Sequence, residues 1–257
     1  FNDSVVKDFQ DMNSTTGIET QFVVKSIADL EDEPAVTLHF LEKNNISQYY
    51  PVEGSNINFS DEDGIWLDGR FAEAKNLTVG DNISLNFNGI TINKTIRGLG
   101  YSPDYVYEEP ENGLISDFKY QGFGYLSDKA YPTPDMPHNK LLMTTNVSNQ
   151  DYYNQTREML EDKGYDDIIK GASFMSREDS ASDNQIQDEI KQHIVLAVMF
   201  PIIFVVVALL ILLTTMTRIV NRQRTQIGTL KAIGFENRPL IIHYLSYISL
   251  LFLLGFF

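Results

Sequence analysis

The hydrophobic and polar positions divide the chain into a long mixed region and an apolar end. Residues 194–217 form a run without a single charged side chain. At about 1.5 Å per residue, such a helix is long enough to cross a hydrocarbon core of about 30 Å. A second apolar run begins at Pro239 and extends to Phe257. We therefore predict a transmembrane helix over residues 194–217 and the start of another over residues 239–257.

A short basic segment, residues 218–238, separates the two apolar runs. Its charged residues are Glu236 and five cations, namely Arg218, Arg222, Arg224, Lys231 and Arg238. Because Lys and Arg collect in short cytoplasmic loops, we expect this segment in the cytoplasm and the residues before 194 outside the membrane. The segment carries a net charge of +4 within a formal total of −15, so residues 1–193 carry −19. An acidic exterior disfavours nucleic acid as a partner, and a solvated surface is sufficient to explain it.

Within the exterior region, the alternation of apolar and polar positions predicts an α+β fold. The dipeptide Asn88-Gly89 predicts a two-residue hairpin, because a type I′ turn needs positive φ at both central positions. Helices are predicted over residues 70–75 and 151–163, the second capped by Gly164 and followed by a final strand. Residues 101–119, with two prolines and no clear period, are predicted to be irregular. The predicted strands are residues 21–24, 35–40, 65–67, 83–87, 90–92, 124–126 and 141–143.

A helix is predicted to lead from the exterior region into the membrane. Ser176 and Asp179 form a capping-box pattern, and apolar residues then repeat at every fourth position, at Ile186, Ile190, Ile194 and Val198. Pro201 lacks one backbone donor and is expected to kink this helix. The pattern is typical both of a helix that transmits movement and of a plain anchor, and the sequence leaves these alternatives open.

These patterns together predict an order of domains. An α+β extracytoplasmic domain covers residues 1–180, a stalk helix 181–193, a transmembrane helix 194–217, a cytoplasmic coupling loop 218–238, and the next transmembrane helix 239–257. The chain begins at Phe1 without a signal sequence, so we expect a signal sequence or a further transmembrane helix before it. The absence of cysteine favours a bacterial cell surface over a eukaryotic secreted domain. We expect the plasma membrane of a Gram-positive bacterium.

The cytoplasmic segment carries the most specific motif. Ile219, Ile227, Leu230 and Ile233 fall on one side of a helical wheel, which predicts an amphipathic helix. Residues 224–234, RTQIGTLKAIG, resemble the signature of FtsX-like permeases, in which a basic residue precedes approximately E-I-G-x-L-K-A-L-G. Residues 77–85, LTVGDNISL, resemble an L-x-V-G-D-x-I-x-L element of the exterior MacB-like core domain in such permeases.

The resemblance implies the permease subunit of an ABC transporter. In such a protein the loop after the second span docks on a cytoplasmic ABC ATPase and couples ATP hydrolysis to movement of the exterior domain. It implies export or extraction of a lipid, lipoprotein or peptide, contact with membrane lipids, and a dimer of permease units or of two halves of one chain. The coupling residues it implies are Arg222, Arg224, Gln226, Ile227, Gly228, Leu230, Lys231, Ala232 and Gly234.

Three residues in or next to the motif differ from the family pattern or have a second interpretation. Gln226 stands where the family has Glu, which removes a charge but keeps a hydrogen-bonding amide. Phe235 replaces a small residue. Gly234 has a second interpretation, as the cap of the loop helix before Pro239.

The sequence contains no motif for chemistry of its own. It lacks the G-x-x-x-x-G-K-[ST] loop that cradles ATP phosphates, so we expect hydrolysis on a partner, and neither an enzyme nor a cofactor site in this chain. Residues 61–64, DEDG, resemble a calcium loop only superficially, since Phe59 interrupts the alternating oxygen ligands. The main alternative is a membrane-anchored extracellular sensor, although a second span so soon after the first is unusual for one. An adhesin is disfavoured because no internal repeat is present.

Overall fold

The exterior strands lie in one sheet, and the apolar end is helical. The computed structural model describes residues 1–107, 117–133 and 136–256. The strands are β1 Thr15–Ala28, β2 Ala35–Leu41, β3 Tyr50–Gly54, β4 Gly64–Asp68, β5 Asn82–Phe87, β6 Ile90–Tyr101, β7 Gln121–Ser127 and β8 Lys140–Thr145. The helices are α1 Asp3–Gln10, α2 Gly69–Lys75, α3 Asn149–Lys163, α4 Asp166–Gly171, α5 Ala181–Arg222, α6 Arg224–Ala232 and α7 Asn237–Phe256.

The chain divides into two units, Phe1–Glu189 and Ile190–Phe257. The first contains the whole sheet, the helices α1 to α4 and the beginning of α5. The second contains the remainder of α5 together with α6 and α7. The mixed strands and helices of the first unit confirm the predicted α+β class.

Six strands of the first unit close into a ring. Their pairing order is β1, β2, β7, β4, β6, β5 and back to β1, with β2–β7 and β4–β6 parallel and the other pairs antiparallel. The last pair is short and joins Ile27 and Ala28 of β1 to Asn86 and Leu85 of β5. β3 lies on β6, and β8 lies on the first half of β1. Closure gives each of the six strands a partner on both edges, which protects the sheet from pairing with other chains.

The strand β1 is longer than the predicted residues 21–24. It starts at Thr15, and its first half carries polar side chains that conceal the alternation expected of a strand. One of them is the buried Glu19, whose carboxylate accepts the backbone N–H groups of Asn45 at 2.8 Å and Ile46 at 3.3 Å. Hydrogen bonds from a loop therefore satisfy the buried carboxylate of Glu19. In the sequence alone, this charged residue argues against a strand.

The interior of the ring is apolar and tightly packed. Side chains of alternate positions on its strands point inward, among them Leu38, Leu67 and Leu85, which have no exposed surface. Two glycines of β7 face the same interior. A Cβ added to Gly122 would lie 2.7 Å from Cβ of Phe71, and one added to Gly124 would lie 2.7 Å from Cδ1 of Ile65. Glycine is required at both positions because a larger residue would displace the packed core.

The predicted turns and caps are confirmed where they depend on positive φ. Asn88 and Gly89 have φ of 50° and 78° and join β5 to β6 in the predicted hairpin. Gly164, with φ of 73°, ends α3, where the N–H of Tyr165 donates to the carbonyl of Leu160 at 2.9 Å. Ser176 and Asp179 form the predicted capping box, but it encloses a single 3-10 turn, Arg177–Asp179, directly before α5.

Three elements differ from the sequence-based expectation. The final strand expected after α3 is wrong, because α4 occupies that place, where Ile168 and Ile169 pack beside α1 in a cluster around Val5 and Phe9. The helix α1 and the strand β3 were not predicted, since α1 is short and mostly polar, and β3 has only five residues, one of them a proline. Of the region expected to be irregular, the end of β6 and a 3-10 turn at Pro103–Tyr105 are described, and residues 108–116 lie outside the described part.

A second cluster covers the outer face of β2, β4 and β7. It consists of Leu41, Tyr49, Trp66, Phe123 and Tyr125, and we call it the outer cluster. The ring of His39 stacks on that of Tyr125 at a centroid distance of 4.8 Å and has 1% of its surface exposed.

Both ring nitrogens of His39 are hydrogen-bonded. Nδ1 lies 3.1 Å from Oε1 of Gln21, and Nε2 lies 2.5 Å from the hydroxyl of Tyr105. Because an amide oxygen can only accept, Nδ1 donates to it and Nε2 accepts from Tyr105. Burial, together with the positive charge of Lys140, holds the pKa of His39 well below its usual value of 6.5.

We expect the exterior unit to lose stability as the pH falls below about 6.5. There the unfolded chain takes up a proton on His39 that the folded chain excludes, so the free energy of unfolding decreases by at most about 1.4 kcal/mol per pH unit from this group. Trp66 is the one tryptophan of the chain and is buried, so its fluorescence in urea titrations at pH 7.5, 6.0 and 5.0 measures the effect. The variant His39→Gln should show a shallower dependence over this range. An equally steep dependence would exclude His39 as its origin.

Candidate functional site

The predicted coupling residues lie on two consecutive helices rather than one. The long helix α5 ends at Arg222, and Gln223, with φ of −94° and ψ of 8°, separates it from α6. The single amphipathic helix expected over this loop is therefore wrong, because Ile219 belongs to α5 and Ile233 follows the last residue of α6.

The break at Gln223 is stabilised by a contact with α7. Its side-chain oxygen accepts a hydrogen bond from the hydroxyl of Tyr244, and its backbone carbonyl accepts from the N–H of Ile227 at 2.9 Å. The backbone bond starts α6 immediately after α5. Neither residue was singled out from the sequence. The available signal was a polar residue at position 223, within an otherwise apolar row of positions 219, 227 and 230.

The two faces of α6 differ in exposure. Ile227 and Leu230, three residues apart, are half-buried within the second unit. Arg224, Gly228 and Lys231, spaced by four and three residues, share an exposed face. This face carries one cation on each side of Gly228. At the glycine, another backbone or a bulky side chain can approach closely.

Gly228 has no structural role that the fold would enforce. A Cβ added to it would meet no atom within 4 Å. Its φ also lies outside the positive range, unlike that of Gly234. A larger side chain at this position therefore fits the described part of the folded chain and projects from the exposed face of α6.

Gly234 ends α6 in a Schellman arrangement. Its φ is 99°, its N–H donates to the carbonyl of Lys231 at 3.0 Å, and the N–H of Phe235 donates to the carbonyl of Leu230 at 3.1 Å. The interpretation of Gly234 as a helix cap is therefore confirmed. The bond from Phe235 uses only its backbone, and its side chain is 53% exposed.

The remaining predicted residues lie beside this exposed face. Arg222 is the last residue of α5, and Gln226 and Ala232 are exposed on α6. All the predicted residues thus lie within one segment of thirteen positions, residues 222–234. Their function as an ATPase-coupling site stays a prediction.

The helix before this segment has the dimensions of a membrane span. Among the described residues, α5 is the one helix long and apolar enough to cross a membrane, with a mean hydropathy of 3.3 over its most apolar 18 residues. The helix α7 has 20 residues and places Pro239 in its first turn, where a missing backbone donor is tolerated.

Comparison with protein families identifies this region. Residues 198–257 match the FtsX-like permease C-terminal family. The match covers α5 from residue 198 onward, the whole of α6 and all of α7, and it confirms the resemblance expected from the motif. We refer to residues 198–257 as the FtsX-like region. The exposed face of α6 lies near its middle.

Two solved structures resemble about two thirds of the chain at low sequence identity. The extracellular domain of the noncanonic ABC-type transporter YknZ from Gram-positive bacteria shares 14% identity, over 64% of this chain and 84% of that one, with a TM-score of 0.41. The periplasmic region of MacB from Actinobacillus actinomycetemcomitans shares 10% identity, over 66% of this chain and 83% of that one, with a TM-score of 0.39. No curated protein sequence matches the chain.

The two glycines of the FtsX-like region should respond oppositely to alanine. Gly234→Ala should destabilise the end of α6 by about 1 kcal/mol, because an L-residue is strained at positive φ. Gly228→Ala should instead stabilise the helix by about 0.5 to 1 kcal/mol, because alanine loses less backbone entropy. Hydrogen exchange of the amides of residues 230–235 in detergent measures both effects. Equal protection in the two variants would contradict the cap.

Proposed function

We propose that the chain is the permease subunit of an ABC transporter, and that α6 docks on a separate cytoplasmic ATPase. The observation that carries this proposal is the coincidence of the FtsX-like match over residues 198–257 with an exposed face of α6 that the fold itself does not use. ATP hydrolysis takes place on the partner, since this chain has no phosphate-binding loop.

The geometry of α6 suits such a contact. Its helix is short, it is fixed at one end by the break at Gln223 and at the other by the Gly234 cap, and it exposes Gly228 between Arg224 and Lys231. A rigid helix inserted into a groove loses little conformational entropy on binding. Two cations favour an acidic groove, and the amide of Gln226 can donate or accept where a carboxylate could only accept.

In the proposed cycle, closure of the ATPase displaces α6, and α5 carries the displacement toward the exterior domain. α5 runs without interruption from Ala181 to Arg222. We further propose that the protein lies in a bacterial plasma membrane, in a Gram-positive organism, with residues 1–180 outside and the spans at residues 194–217 and 239–257. Its cargo would be a lipid, lipoprotein or peptide, exported or extracted by a dimer of permease units or of two halves of one chain.

A pull-down from membranes tests the docking role. The full-length protein in mild detergent should co-purify with a nucleotide-hydrolysing subunit, identified by mass spectrometry. Gly228→Trp should reduce its recovery at least ten-fold, because the indole blocks the close approach, whereas Gly228→Ala should retain it. A normal urea titration of Trp66 fluorescence in Gly228→Ala, and of circular dichroism in Gly228→Trp, which carries a second tryptophan, would confirm that the exterior unit stays folded.

Charge reversal at Arg224 or Lys231 provides an independent variant on the same face. Arg224→Glu or Lys231→Glu should weaken recovery of the ATPase, and the loss should grow at low salt, where like-charge repulsion is least screened. Full recovery in these variants and in Gly228→Trp would refute docking at α6. Absence of any ATPase from the wild-type preparation would favour the alternative function, a membrane-anchored sensor.

A further inference from the structure

The first turn of α5 contains a buried hydroxyl group. Ser182 is the second residue of the helix and has 1% of its surface exposed, and it is the one buried residue among the 42 of α5. Ser182 is not the N-cap of α5, because it lies inside the first turn and the helix begins at Ala181. Its burial therefore calls for a tertiary explanation.

Three backbone groups of one loop converge on this hydroxyl. Oγ of Ser182 lies 2.8 Å from the carbonyl oxygen of Asp104 and 3.0 Å from that of Tyr107. It also accepts the N–H of Tyr107 at 3.2 Å. One hydroxyl proton can serve only one of the two carbonyls at a time, so the group accepts once and donates alternately. We call this set of contacts between Ser182 and residues 104–107 the clasp.

The loop in the clasp is fixed to the strands of the ring. The ring of Tyr105 stacks on that of Phe123 in β7, with centroids 4.4 Å apart and planes inclined by 17°. Its hydroxyl donates to His39 of β2, and its carbonyl accepts from the guanidinium of Arg70 at 2.7 Å. Ser182 is thus connected through Tyr105 to two adjacent strands and to α2.

Arg70 is itself held in place. Its guanidinium pairs with the buried carboxylate of Asp68 at 3.1 Å and lies 4.0 Å from the ring centroid of Phe118. Asp68 also accepts the backbone N–H of Arg70, as the cap of α2. A displacement of the loop therefore requires breaking the hydrogen bond from this fixed guanidinium to the carbonyl of Tyr105, as well as an aromatic stack, and the loop behaves as part of the sheet.

The covalent connection to α5 takes a different route. Residues 172–180 join α4 to α5, and Phe174 in this segment contacts Tyr152 and Tyr153 of α3, at ring distances of 6.4 Å and 5.3 Å. These contacts lead to the helices at the edge of the sheet. The clasp leads instead to β2 and β7 in the ring.

We propose that Ser182 is a positioning residue through which movement of α5 reaches the ring strands. The proposal rests on the function proposed above, in which α5 moves during the ATPase cycle. With the clasp closed, the first turn of α5 and the loop at residues 104–107 move together. Without the hydroxyl, this connection to the loop is lost, and the ring no longer follows α5.

The first test needs no partner protein. In the full-length protein in detergent, Ser182→Ala should accelerate hydrogen exchange of the peptide that contains Tyr107 by about ten-fold, because its N–H loses its acceptor. Asn184→Ala is the matched control, since Asn184 lies two positions further along the same helix and is exposed. Unchanged exchange in Ser182→Ala would overturn the clasp.

The second test concerns movement. In the complex with its ATPase, trapped with nucleotide and vanadate, exchange within β7 should change in the wild type and in Asn184→Ala but not in Ser182→Ala. Recovery of the ATPase should be equal in all three. An equal response of β7 in Ser182→Ala, or no response in the wild type, would overturn the proposal while leaving the ATPase partnership intact. Failure to recover any ATPase would refute the proposed function and, with it, the movement of α5. The first test would still decide whether Ser182 holds the loop.

Tyr105→Phe offers a second variant, which weakens the attachment of the loop to the ring and leaves the clasp itself intact. It keeps the stack on Phe123 but removes the hydroxyl that donates to His39. The response of β7 should weaken in this variant although Ser182 is intact. A full response would show that the stack alone couples the loop to the ring, and would overturn the part assigned to the His39 bond.

Discussion

The first unit, Phe1–Glu189, depends on the pairing of β1 along both of its edges. Residues 21–27 of this strand pair with β2 on one side, while its first half pairs with β8 and its last two residues with β5 on the other. The short contact at Ile27 and Ala28 closes the ring of six strands and so encloses the apolar interior. If this pair opened, β5 would expose an edge, and the side chains packed against Gly122 and Gly124 would meet water.

Closure of the ring also creates the surface on which the rest of the unit is arranged. Strands that alternate inward and outward positions bury one set of side chains in the ring and present the other outside. On β2, β4 and β7 the outward set is aromatic, and it forms the outer cluster with the ring of His39 stacked on Tyr125. The loop at residues 104–107 binds to this surface, and the first turn of α5 binds to the loop.

The two ends of α5 are constructed on the same principle. At its start, a serine hydroxyl satisfies backbone groups of a neighbouring loop, and at its end, the side chain of Gln223 accepts from Tyr244 at the point where the helix breaks. In each case one polar side chain fixes where a long apolar helix meets a shorter element.

The sequence by itself determined the elements whose causes are local. Short stretches of chain are sufficient to predict positive φ at Asn88, Gly89 and Gly164, the strands β2 and β5, and the α+β class of the first unit. A short stretch also contains the motif of the region, residues 198–257, that matches the FtsX-like permease C-terminal family. Only the tertiary structure decided the first half of β1, where Glu19 is satisfied by a distant loop, and the helix α4, whose apolar side chains pack beside α1. Only the tertiary structure showed that Gly234 caps α6 whereas Gly228 lies on its exposed face. Only the tertiary structure showed that Ser182 is buried. The physical reason is that hydrogen bonds and packing between residues far apart in the chain leave no periodic pattern in the sequence, whereas turns, caps and amphipathic faces do.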